Sequence, residues 1–183
     1  MKDFPGRCFR TAKTRPVWVN ALYTLIQTAG MWFVFLAAIP WLILQAQPVL
    51  GVARFNPGWL APASMTVFGL AGLTGIYCGL LFVRYGGGTP LPLDQTTNLV
   101  VRGPYRYVRN PMAVLGILQG VCVGVATGSW PVCVYALCGA PVWHIFARPF
   151  EERDLADRHG EAYLKYQREV RNWIPRIRPY PVI

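Results

Sequence analysis

Acidic residues are scarce in this chain. Eight Asp and Glu stand among 183 residues, against 18 Lys and Arg, leaving a formal net charge of +10. Charge of either sign is thin, at 14% of residues, where soluble domains carry roughly 25%. With 54% hydrophobic residues and a mean hydropathy of +0.31, intrinsic disorder is excluded, because a disordered chain needs low hydrophobicity. A soluble nucleic-acid binder is disfavoured as well, since its basic patch would sit among other polar residues. Histidine is nearly absent, with His144 and His159 alone. The five cysteines (Cys8, Cys78, Cys122, Cys133, Cys138) form no C-x-x-C pair and no zinc-ligand spacing, so no metal site is expected. The long apolar stretches hold no carboxylate, so no Ser-His-Asp arrangement can be assembled there. An apolar body with segregated positive charge remains. That is the pattern of a membrane protein whose arginines sit at the lipid headgroups, here as a single membrane domain over 1–183.

No charged residue lies between Val17 and Leu44, between Pro57 and Val83, or between Asn110 and Ala147. A spanning helix needs about 20 apolar residues. The pattern predicts an all-α, integral-membrane fold of about four transmembrane helices, over 17–44, 63–83, 111–127 and 131–147. Gly128-Ser129-Trp130-Pro131 divides the last stretch into a hairpin, and Pro40 is placed to kink the end of the first span. Basic residues alternate along this order: five before Val17, Arg54 between the first two spans, four from Arg84 to Arg109, none in the Gly128–Trp130 turn and eight after Ala147. The positive-inside rule then puts both termini in the cytoplasm. A cleavable leader has an apolar core of about 7–15 residues. The first apolar run is about twice that and lacks a small-residue cleavage site near its end, so it reads as a retained span.

Chemistry is confined to two polar segments, 84–113 and 148–183. Gly86-Gly87-Gly88 lacks the Gly-Lys-Ser/Thr ending of a phosphate loop and reads as a flexible exit from the second span. Tyr105 and Tyr107, interleaved with Arg102, Arg106 and Arg109, suit a membrane interface. The second segment predicts a C-terminal cytoplasmic amphipathic helix over 150–171. Its apolar face is Leu155, His159, Ala162, Tyr163, Tyr166 and Val170, and Gly160 weakens its middle. Glu151-Glu152 directly after a span, in a chain poor in acid, calls for something cationic to bind. His144, within the last span, is expected to hydrogen-bond a neighbouring helix.

Gly103-Pro104-Tyr105-Arg106-Tyr107-Val108-Arg109-Asn110-Pro111-Met112 resembles the signature loop of the isoprenylcysteine carboxyl methyltransferase and phospholipid methyltransferase superfamily. Glu151-Glu152, followed by Gly160, Tyr163, Tyr166, Val170 and Ile174-Pro175, resembles its second block. Together the two cover roughly Thr89 to Arg176. The chain is most similar to the short bacterial members, which implies an inner-membrane protein. The resemblance implies S-adenosylmethionine as cofactor, bound without a soluble nucleotide-binding domain. It places Thr97, Asn98, Leu99, Val100 and Tyr105 on one side of the cofactor, with Asn110, Pro111, Met112 and Ala113 on the other and Glu151 reaching in from the tail. Asn110 stands where the family usually has histidine and Ala113 where it usually has tyrosine. The family's substrate-side arginine falls on Ala147, with Arg148 adjacent.

These residues lead to an expected activity: methyl transfer from S-adenosylmethionine to a lipophilic acceptor arriving from the bilayer. The acceptor is a carboxylate, amine or thiol, with membrane lipids as partners and no nucleic acid. Glu152 and Arg148 are expected to act on it, Glu152 (or Tyr105) taking a proton where the acceptor is an amine or thiol. Two other readings stay open, an NADPH-dependent membrane reductase related to sterol reductases and a non-catalytic lipid-binding membrane protein.

Overall fold

The computed structural model describes residues 16–87 and 98–182. It is helical, with no strand among the described residues. Helix α1 (Val17–Trp32) runs through a π-helical stretch, Phe33–Ala38, into α2 (Ile39–Val49). Pro40 lies just past that stretch. A proline clashes with the carbonyl four residues back, here Leu36 inside the widened turn, so the helix absorbs it without ending. After a connection over 50–59, α3 (Leu60–Leu81) continues as a π-helical exit, Phe82–Gly86. A 3-10 turn, Gly103–Arg106, precedes α4 (Pro111–Ala126). Helix α5 (Trp130–Val142) then passes through Trp143–Ala147, also π-helical, into α6 (Arg148–Glu169).

Three continuous helices, Val17–Val49, Leu60–Gly86 and Trp130–Glu169, are long and apolar enough to cross a membrane. The third becomes charged from Arg148 onward. At 16 residues, α4 is shorter, about 24 Å at the α-helical rise. It packs between α3 and α5. Its approach to α5 is made by small residues, as in membrane bundles generally: a Cβ on Gly124 would stand 2.5 Å from the Cys133 sulfur, and one on Gly120 2.8 Å from the Ala136 Cβ. Helix α1 lies antiparallel to α3, its Trp32 ring over Gly72 and Gly75.

The two ends of the bundle differ. At the turn end, the Phe55 N–H donates to Gly128 O at 2.9 Å. Buried Ser129 donates to Gln47 Oε1 at 2.7 Å, and Gln47 Nε2 donates to Ala53 O at 3.3 Å. The opposite end carries 98–110, α6 and the tail. There α6 folds back on the loop: Tyr163, Tyr166 and Val170 pack with Val101 and Tyr180. Helix α6 is also not one straight amphipathic helix. Gly160 adopts φ 50, ψ −132 and breaks it into two arms, and the apolar face of the second arm packs onto protein.

Candidate active site

The site end begins with a helix start. Asn110 ends the loop in a non-helical conformation and its Oδ1 accepts the Ala113 N–H at 3.2 Å, with Pro111 opening α4. This is the chemistry preferred at those positions, a side-chain acceptor at the cap and a proline in the first turn.

Arg109, one residue earlier, organises everything around it. Its side chain is 8% exposed. Its Nε donates to Val170 O at 2.7 Å, its backbone N–H to Arg171 O at 3.0 Å and its Nη1 to the Tyr163 hydroxyl at 3.4 Å. The same Nη1 pairs with Glu152 Oε1. Arg148 Nε donates to that oxygen at 2.8 Å, and Gln167 Nε2 donates to Oε2 at 3.0 Å. Both oxygens of Glu152 are therefore taken. The tail closes over the loop: Arg176 N–H donates to Tyr107 O, and the Tyr180 N–H to Arg106 O, both at 2.9 Å. The Tyr166 hydroxyl reaches Tyr105 O at 2.6 Å.

Glu151 is the contrast. It is half-buried, and no hydrogen bond or ion pair joins it to any described residue. Burial, then the neighbouring Glu152 charge, push its carboxyl up from 4.5 to about 7, against the pull of Arg109. Burial also holds the Tyr105 phenol well above its usual value, and the Glu151 charge adds to the effect. A half-buried carboxylate with no partner among the described residues suits a cationic ligand.

Beside this region lies a cleft of about 380 Å³ lined by Tyr85, Asn98, Leu99, Val100, Arg102, His159 and Ala162. Its size falls within the range of about 300–1,000 Å³ typical of small-molecule sites. Asn98 is fixed on the exit of α3, its N–H donating to Gly86 O at 3.2 Å and its Nδ2 to Tyr85 O at 3.3 Å. The Arg102 guanidinium sits 4.3 Å over the Tyr85 ring. His159 Nε2 is buried without a hydrogen-bond partner among the described residues, and burial, with Arg158 adding, lowers the ring's pKa. Val100 faces both regions, since it also belongs to the cluster of Cys78, Leu81 and Tyr105, against which Phe82 and Met112 pack. A second, apolar groove of about 320 Å³ runs between α3, α4 and the tail, lined by residues such as Thr74, Pro104, Tyr107, Pro111, Leu115 and Pro175.

The residues expected from sequence are distributed over these features. Asn98, Leu99 and Val100 line the polar cleft, and Tyr105 and Met112 join Val100 behind it. Pro111 faces the apolar groove instead, and Ala113 is engaged through its backbone N–H by Asn110. Arg148 and Glu152 form an ion pair with each other. Thr97 lies outside the described residues. His144 meets the tail rather than a neighbouring helix: Trp173 Nε1 donates to its Nδ1 at 3.1 Å, with Arg148 Nη1 3.0 Å from the same atom. Four cleft residues carry no cofactor expectation from sequence. Arg102 stands one residue before the loop signature, and His159 and Ala162 read as part of an apolar face. Tyr85 carries no signal beyond its place at the end of a span.

Apolar helices long enough to cross a membrane, with a polar cleft and clustered charge at one end, define a helical membrane protein. The chain belongs to the phospholipid methyltransferase family, whose model matches residues 59–162. The match runs from the start of α3 past the kink in α6 and takes in Asn110, Glu151, Glu152 and the described cleft residues. No curated protein matches the chain.

Proposed function

We propose that this membrane methyltransferase uses S-adenosylmethionine, bound at the site end from the cytoplasm, to methylate a lipophilic acceptor entering from the bilayer. The observation that carries the reading is Glu151, half-buried and without a partner among the described residues, next to a Glu152 whose two oxygens are already engaged. When bound, S-adenosylmethionine supplies a methyl group made electrophilic by its sulfonium. The donor set fits such a ligand: a carboxylate for its ammonium or sulfonium, an aromatic ring and apolar wall at Tyr85, Leu99 and Val100, and polar groups at Asn98, Arg102 and His159. Glu151 balances the ligand's positive charge. Glu152, Arg109 and Arg148 hold α6 against the loop and so set where Glu151 points. Tyr105 and Val100 form a dry wall that keeps water from the reacting groups. Rate then comes chiefly from positioning.

The test is saturable binding of S-adenosylmethionine to the purified protein in lipid nanodiscs. Binding that weakens at least about tenfold in Glu151→Gln, or about 1.4 kcal/mol, supports the reading. Absence of saturable binding, or unchanged affinity in that variant, overturns it.

A further inference from the structure

Helix α1 lies outside the matched residues 59–162, yet it carries an unusual polar stripe. Asn20, Thr24 and Gln27 recur at helical spacing in an otherwise apolar span. Asn20 is 3% and Thr24 2% exposed. Asn20 Oδ1, Thr24 Oγ1 and Gln27 Oε1 are all buried with no hydrogen-bond partner among the described residues. Such groups are costly inside a membrane and face a bundle interior or a polar cavity. The register shows what they face. Trp32 packs over Gly72 and Gly75. Thr24 lies eight residues before Trp32, about 12 Å along the helix, which in an antiparallel pair brings Thr24 and Asn20 to the height of Phe82–Gly86. Helix α1 does contact that stretch. It is the π-helical exit whose Tyr85 lines the polar cleft, and π-helical turns occur frequently at functional sites.

We propose that Asn20, Thr24 and Gln27 form the subsite for the polar head of the lipid acceptor, one that bears N–H or O–H donors rather than an anionic carboxylate. Two of the orphaned atoms, Asn20 Oδ1 and Gln27 Oε1, are amide oxygens that only accept hydrogen bonds, while the Thr24 hydroxyl both accepts and donates; a carboxylate has no donor for the two amide oxygens. The subsite sits on a membrane span at the height of the cleft, a placement that suits a lipid held within the bilayer. This inference rests on the methyltransferase reading and assigns acceptor recognition to the part of the chain outside the family match.

The full chain in phosphatidylcholine nanodiscs doped with octadecylamine, octadecanol or octadecanoate provides the test, read as a shift in Tm without cofactor. The amine or the alcohol is expected to raise Tm by several degrees and octadecanoate to leave it unchanged. Thr24→Val and Asn20→Leu remove orphaned polar groups. The double variant is therefore expected to be more thermostable when unliganded and to lose the lipid shift, while its Tm shift with S-adenosylmethionine persists. An equal shift with octadecanoate, no shift with either donor lipid, or a double variant that is less stable and keeps the shift overturns the proposal. A missing S-adenosylmethionine shift in the wild type is the separate result that overturns the methyltransferase reading itself.

Discussion

Glu151 and Glu152 share a peptide bond and meet different surroundings, and the difference sets their titration. Glu152 has three donors around its two oxygens, while Glu151 has none and its carboxyl ionises at about 7 instead of 4.5. The folded protein thus holds a proton that the unfolded chain has released between those two values. Stability is undiminished below about 4.5, falls as pH rises through that window, and carries the full penalty above about 7. Glu151→Gln is expected to match the wild type in unfolding experiments below about pH 4.5. Above about pH 7 it is expected to exceed the wild type by roughly 2–3 kcal/mol. The wild type's affinity for S-adenosylmethionine should rise over the same window, as the carboxylate becomes available, and the Gln variant's should stay flat. Arg109→Leu, by contrast, takes away one of the two arginines on Glu152 and frees the Val170 carbonyl. Denaturation should show a loss of about 2–4 kcal/mol. The sequence reading gives Glu151 to the cofactor and Glu152 to the acceptor, but it does not show Glu152 held by Arg109 and Arg148. Arg109 lies 43 residues from Glu152, and nothing local to Glu151-Glu152 says which of them it will meet.

At the scale of the element, the helices were legible because charge is missing from them, and a helix in lipid must satisfy every backbone group internally. The path within a helix was harder to read. The three π-helical stretches have no composition of their own. The kink in α6 was visible only as a glycine in a helical pattern, which ordinarily signals a mild weakening. Its φ of 50 follows from tertiary docking, because the second arm must place Tyr163, Tyr166 and Val170 on Val101. A Cβ at Gly160 meets nothing within 4 Å, so Gly160→Ala tests conformation alone. It should cost about 1–2 kcal/mol in thermal unfolding, with a larger relative loss of S-adenosylmethionine affinity than of stability if the second arm swings from the loop.

For the molecule as a whole, the two ends do separate work. The turn end is locked by Gln47, Ser129, Ala53 and Phe55, far along the helices from the cleft. Ser129→Ala leaves Gln47 Oε1 buried without a donor and is expected to cost about 1–3 kcal/mol. Affinity for S-adenosylmethionine, measured well below the variant's Tm, should not change, since distant sites act nearly independently. Sequence alone placed these ends correctly relative to each other through the alternation of basic residues. Glu151 is expected from sequence to reach in from the tail, but the docking of residues 170–180 on the loop is not legible there, because those bonds run through main-chain atoms of Val170, Arg171, Arg176 and Tyr180.

That closure has a consequence for how the protein is made. The ribosome delivers α3, α4 and α5 to the bilayer before residues 170–180 leave the exit tunnel, so the spans settle around a loop whose Arg106, Tyr107 and Arg109 still lack their last backbone partners. A chain ending before Val170 would lack the carbonyl that holds the Arg109 side chain and the amides that bond Tyr107 O and Arg106 O, so this loop is the last part of the fold to gain its partners during synthesis.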